Sequence, residues 1–166
     1  MSVSRDIVRT YLAPREVMRR RIGDTVREDR ALVILYVGCL LVFVSQLPRL
    51  SREAYLDPSI PYDARVSGAL WAWIIFVPLA FYAIAAVAHI IARLFGGRGT
   101  WFTARMGLFW AFLASSPLWL LNGLVQAFMG QGAEATFVSG LCLAVFLVFS
   151  VVGLREAEFG PASPAQ

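Results

Sequence analysis

The sequence predicts an all-α integral membrane protein, with four transmembrane helices behind an N-terminal amphipathic, Arg-rich interfacial segment. Three observations carry this reading. Apolar runs fill residues 31–48, 67–95, 105–129 and 135–154, each at or near the ~20 residues that cross a ~30 Å hydrocarbon core. Hydrophobic residues make up 58% of the chain and charged ones only 16%, against roughly 25% charged in a soluble domain. The arginines between the runs fall almost entirely on alternate sides. With 166 residues, the chain has room for one membrane bundle and no separate soluble domain.

Residues 1–30 carry apolar positions at helical spacing: Val3, Ile7, Val8, Tyr11 and Leu12, then Val17, Met18, Ile22 and Val26 after a break at Pro14. A basic amphipathic segment beside a span reads as an interfacial helix, with Arg15, Arg19, Arg20, Arg21, Arg27 and Arg30 on anionic lipid headgroups. Five acidic residues reduce its net charge to +3, so a solvated tail is the competing reading. Nucleic acid is not an expected partner, because Tyr11 is the only stacking aromatic in the basic stretch. The first apolar run starts after thirty residues and no A-x-A-like site follows it, so the segment does not read as a cleaved signal.

Arginine placement sets the orientation. Eight arginines precede the first span, while Arg49, Arg52 and Arg65 lie in the first loop. Arg93, Arg98 and Arg105 flank the second loop, and Arg155 follows the last span. An inside N-terminus puts twelve arginines on the cytoplasmic side against three outside, so both termini are expected in the cytoplasm. Tyr55, Tyr62, Trp71 and Trp73 then belong to the outer interface, and Trp101 and Phe102 to the inner one. Every basic residue is arginine, whose codons are GC-rich; this points to a high-GC bacterium and its inner (cytoplasmic) membrane.

The loop at residues 49–66 holds Pro58, Pro61 and balanced charges, and reads as an interfacial connector. The cytoplasmic turn Gly96, Gly97, Arg98, Gly99, Thr100 is short enough to make spans two and three an antiparallel hairpin. Its glycines permit φ > 0 at a helix C-cap, and Thr100 can N-cap the next helix. A phosphate cradle would need a preceding strand, which is absent from the pattern.

The third span is the most patterned. Gly107, Ala111, Ser115, Asn122 and Gln126 share about a third of its circumference at 100° per residue. Small residues permit close helix approach and amides in lipid need partners, so this polar stripe should face protein. Pro117 and Pro78 sit near mid-span, where each frees a backbone carbonyl and favours a kink; such kinks shape packing or line a transport path. His89, the only histidine, reads as a hydrogen-bonded residue near the end of the second span. Cys39 and Cys142 both lie in apolar runs and read as small fillers. Residues 155–166, with Pro161 and Pro164, read as a disordered cytoplasmic tail.

No set of residues suggests catalysis. The spans hold no carboxylate for a proton-coupled exporter, no paired cysteines for a thiol oxidoreductase and no H-E-x-x-H cluster. Ser115 and Ser116 have no base placed beside them. The chain is read as a non-enzyme without cofactor or metal.

Three stretches together resemble bacterial members of the Yip (Ypt/Rab-GTPase-interacting) membrane protein family. They are Pro14-Arg15-Glu16-Val17-Met18-Arg19, then His89 followed by Arg93-Leu94-Phe95-Gly96-Gly97-Arg98-Gly99-Thr100-Trp101, and Ala114-Ser115-Ser116-Pro117-Leu118-Trp119. Their order and spacing carry the match over residues 14–154. Family members commonly have five spans, and this chain shows four. The resemblance implies a membrane fold and a membrane-organising or adaptor role, acting on other membrane proteins or on itself, without a reaction. The alternative reading is a small permease or channel-forming subunit that uses the stripe of the third span.

Overall fold

A computed structural model describes residues 3–22, 27–130 and 132–160, and all of its regular structure is helical. In chain order these are α1 (Val3–Leu12), α2 (Pro14–Ile22), α3 (Glu28–Leu56), α4 (Tyr62–Trp71), a π-helical turn (Ala72–Phe76), α5 (Val77–Leu94), α6 (Trp101–Met129) and α7 (Ala133–Phe159). Among the described residues, four uninterrupted helical stretches are long and apolar enough to cross a membrane: Glu28–Leu56, Tyr62–Leu94, Trp101–Met129 and Ala133–Phe159. The chain is a multi-pass membrane protein.

The helices outrun the apolar runs that announced them. α3 continues through Pro48 to Leu56, its polar end held by the Arg49–Glu53 pair at 3.0 Å, one helical turn apart. The connector expected over 49–66 therefore shrinks to residues 57–61. α7 likewise runs five residues past Leu154, so the expected disorder at 155–166 is corrected for 155–159; positions 161–166 lie outside the described residues. Glu156, Ala157 and Glu158 stay helical because all three make contacts with other elements.

α6 is the centre of the bundle. In its most apolar eighteen-residue stretch 61% of positions are buried, against 22% for the Tyr62–Leu94 span and for α7. Glycines set how closely its neighbours approach. A Cβ on Gly107 would lie 2.9 Å from the Gly153 carbonyl oxygen of α7, and one on Gly123 would collide with the Ser45 carbonyl of α3. Phe81, Phe109, Phe112 and Phe146 interleave α5, α6 and α7, with Phe81 and Phe112 centroids 4.5 Å apart.

Pro78 explains the π-helical turn. A proline cannot donate to the carbonyl four residues back and its ring crowds that carbonyl, so the preceding turn widens. The carbonyl concerned belongs to Ile74, and the Tyr36 hydroxyl of α3 donates to it at 3.3 Å. Cys39 and Cys142 are buried free thiols. The Cys142 thiol donates to the Leu118 carbonyl at 3.3 Å.

The N-terminal segment breaks at Ala13, one residue before the Pro14 at which the sequence reading placed the break, and it docks on protein. α1 and α2 fold back on each other against α6 and α7, burying Val17, Met18 and Ile22 together with Asp6 and Thr10. Val26, expected on the same apolar face, lies outside the described residues.

Candidate functional site

Two buried polar clusters stand out, one at the end of the bundle that carries the Gly96–Thr100 turn and one further along α6. The first joins α5, α6 and α7. His89 Nδ1 lies 2.6 Å from Glu158 Oε1, and both side chains are almost fully buried at 5% and 1% exposure. The other carboxylate oxygen, Oε2, is buried without a hydrogen-bond partner among the described residues. The His89 ring also packs on Trp101, centroids 4.5 Å apart.

The turn is shaped around that carboxylate. α5 ends in a Schellman motif: the Gly97 N–H donates to the Ala92 carbonyl at 2.8 Å, the Gly96 N–H to Arg93 at 3.1 Å, and Gly96 holds φ 85°. Gly97 and Gly99 serve proximity instead. A Cβ on either would lie 3.0 or 2.7 Å from Glu158 Oε2. The Arg98 N–H donates to the Glu158 carbonyl at 2.7 Å, and Thr103 Oγ1 to that of Ala157 at 3.3 Å. Thr100 then opens α6 with a reciprocal cap to Thr103. A cavity of about 430 Å³ opens beside the turn, walled by His89, Arg93, Gly99, Thr100 and Trp101.

Sequence reasoning missed Glu158 because it sat in the presumed tail. The signal was the small and apolar spacing Gly153, Leu154, Ala157, which carries the helical period of α7 past Arg155.

The second cluster is the N-terminal clamp around Trp110 of α6, a fully buried side chain. Its indole N–H donates to Thr10 Oγ1 at 3.2 Å, and the Arg21 guanidinium stacks 4.3 Å from its centroid. Arg20 and Arg21 both pair with Asp6 across the α1–α2 hairpin. Burial alone would raise the Asp6 carboxyl, but the Arg21 charge and the hydrogen bonds from Arg20 and Arg21 hold it below its usual range. Tyr11 closes the far side, donating to the Ala114 carbonyl at 2.9 Å and meeting Phe149 edge-on.

Of the arginines read as headgroup contacts, Arg20 and Arg21 also take part in this clamp. Arg19 lies 3.6 Å from Glu156 of α7, Arg15 and Arg27 are exposed, and Arg30 is half-buried with a partner.

The stripe of α6 turns inward as a packing surface. Gly107 meets Gly153, while Ala111 and Ser115 are fully buried, with Ser115 Oγ donating to the Phe112 carbonyl at 2.8 Å. Ser139 of α7 donates to Asn122 Oδ1 at 3.1 Å and accepts from Gln126 Nε2 at 3.3 Å. Beside these amides a cavity of about 190 Å³ lies between α3 and α6, where the buried Trp119 indole N–H has no partner among the described residues. Among the described residues no three His, Cys, Asp or Glu side chains gather as metal ligands.

The family profile of the Yip1 domain matches residues 8–163, from within α1 to beyond the end of α7. The chain belongs to the Yip family. Searches of curated proteins and of solved structures found no match. The Yip-like stretches sit where separate elements meet in this chain. Pro14–Arg19 carries Arg15 and Arg19, which stand beside α7, the stretch from His89 to Trp101 encloses Glu158, and Ala114–Trp119 receives Tyr11 at mid-α6. A Yip-family chain with these contacts is a membrane protein whose sequence motifs serve helix association.

Proposed function

We propose that the protein is a non-enzymatic membrane-organising or adaptor subunit that acts through helix–helix contacts with other membrane proteins or a second copy of itself. It would reside in a bacterial inner membrane with both termini cytoplasmic, its arginine-rich end toward anionic headgroups. One observation supports this above the others. The polar side chains of the α6 stripe find partners inside the bundle, Asn122 and Gln126 on Ser139 and Ser115 on the Phe112 carbonyl. The outward faces are broad and apolar, with Leu79, Ile84, Val87 and Ile91 of α5 all exposed from the bundle. Such faces suit lipid and partner helices alike.

A permease reading draws on the cavity beside Trp119, Asn122 and Gln126. Cysteines placed at Ser115, Asn122 and Gln126 in the reconstituted protein separate the two. The adaptor reading expects no reaction with membrane-impermeant thiol reagents, and disulfide or photo-crosslinks from Val87 to a neighbouring membrane helix. Labelling at all three positions with solute flux into vesicles, and no crosslink from Val87, would replace it with the permease.

A further inference from the structure

The groove between α2 and the far end of α7 is used by neither buried cluster. It encloses about 550 Å³, with Arg15 and Arg19 on one wall, Arg155 and Glu156 on the other, and Val151, Val152 and Phe159 in its floor. Three guanidiniums face one carboxylate. Glu156 lies 3.6 Å from Arg19, and no carboxylate among the described residues pairs with Arg15 or Arg155. The groove therefore carries about two uncompensated positive charges, presented by the planar donors that match phosphate oxygens.

Its depth selects the kind of phosphate. Residues 135–154 contain no charge, and at 1.5 Å per residue they span about the ~30 Å of a hydrocarbon core. Arg155 is the first charged residue after them, so the guanidiniums stand at the headgroup level. Below them Leu147, Val148 and Val151 form an exposed apolar strip on α7 that continues the floor. A free phosphate would use the cations and leave this strip unoccupied; a phospholipid would use both.

We infer that the groove binds the phosphate of an anionic phospholipid, with an acyl chain lying along Val148 and Val151. Arg15 and Arg155 hold the phosphate, and Arg19 stays with Glu156 as the hinge between the two helices. A bound lipid bridges α2 to α7 and keeps the N-terminal hairpin seated. This deepens the lipid-facing half of the proposed function and does not depend on any helix partner; loss of Val87 crosslinks with lipid binding retained would sink only the adaptor reading.

The test is lipid retention by the full-length, delipidated protein in detergent, read by native mass spectrometry. Phosphatidylglycerol, diacylglycerol with the same chains and glycerol 3-phosphate are added separately. We expect one retained phosphatidylglycerol per chain and neither of the other two. The pair Arg15→Gln/Arg155→Gln should weaken retention roughly tenfold or more, whereas Arg98→Gln, an exposed arginine at the same end, should leave it unchanged. Val151→Trp obstructs the floor without altering charge and should weaken retention too, which covers the case of a double variant that fails to fold. Equal retention of diacylglycerol, tight binding of glycerol 3-phosphate alone, or phosphatidylglycerol retention unaffected by both sets of substitutions would overturn the proposal.

Discussion

Glu158 holds one carboxylate oxygen 2.6 Å from His89 Nδ1, across 69 residues of chain, and keeps the other buried beside two glycines. The pair fixes the end of α7 to the hairpin of α5 and α6. Removing one member strands the other in an apolar setting, at a cost of about 1–3 kcal/mol, while removing both avoids that penalty. We expect the costs of Glu158→Leu and His89→Leu to sum to more than the cost of the double variant. Unfolding in mixed micelles measures the cycle; strictly additive effects would show that the contact contributes nothing.

The clamp predicts an acid response. Asp6 has a folded-state pKa below its ordinary 3.8, so it favours folding above that value. This contribution is lost as pH falls from 3.8 through the lower folded value. Protection from hydrogen exchange over residues 3–22, relative to the intrinsic rate at each pH, should therefore fall in acid before it does in α6. Asp6→Asn should remove that pH dependence and cost about 1–3 kcal/mol at neutral pH. Unchanged exchange in the variant would contradict the clamp.

Glycine substitutions should divide by sign. Gly107→Ala puts a methyl 2.9 Å from the Gly153 carbonyl oxygen and should destabilise the α6–α7 contact by about 1–3 kcal/mol. Gly140→Ala, also in a helix interior, meets nothing within 4 Å and should stabilise by about 0.5–1 kcal/mol. Chemical denaturation of the two variants reads both signs, and equal effects would refute the close approach.

Orientation is read by labelling. A cysteine at Ser59 should react with an impermeant reagent from outside intact cells, and one at Arg98 only after the membrane is opened. The reverse pattern would invert the proposed topology.

The membrane spans were legible because a run such as 135–154, wholly uncharged, has few other interpretations. Helix ends were not, because outside the apolar runs they rest on pairs such as Arg49–Glu53, which composition does not weigh. The stripe from Gly107 to Gln126 could be seen to need protein, since its period is local to one helix. Its partners Ser139 and Gly153 lie on another helix, and no local period points to them. The N-terminal clamp was hidden for a related reason. Nothing local to Arg20 and Arg21 shows that the reversal at Ala13 brings Asp6 beside them.

The seating of α1 and α2 around Trp110 and Phe149 has a consequence for biosynthesis. Residues 3–22 leave the ribosome before the third and fourth spans, from which their docking surface is built. This segment must wait, undocked, until the spans that receive it have been inserted, and lodge only then. A truncation before α7 should consequently leave the N-terminus open to protease even where the first three spans have inserted.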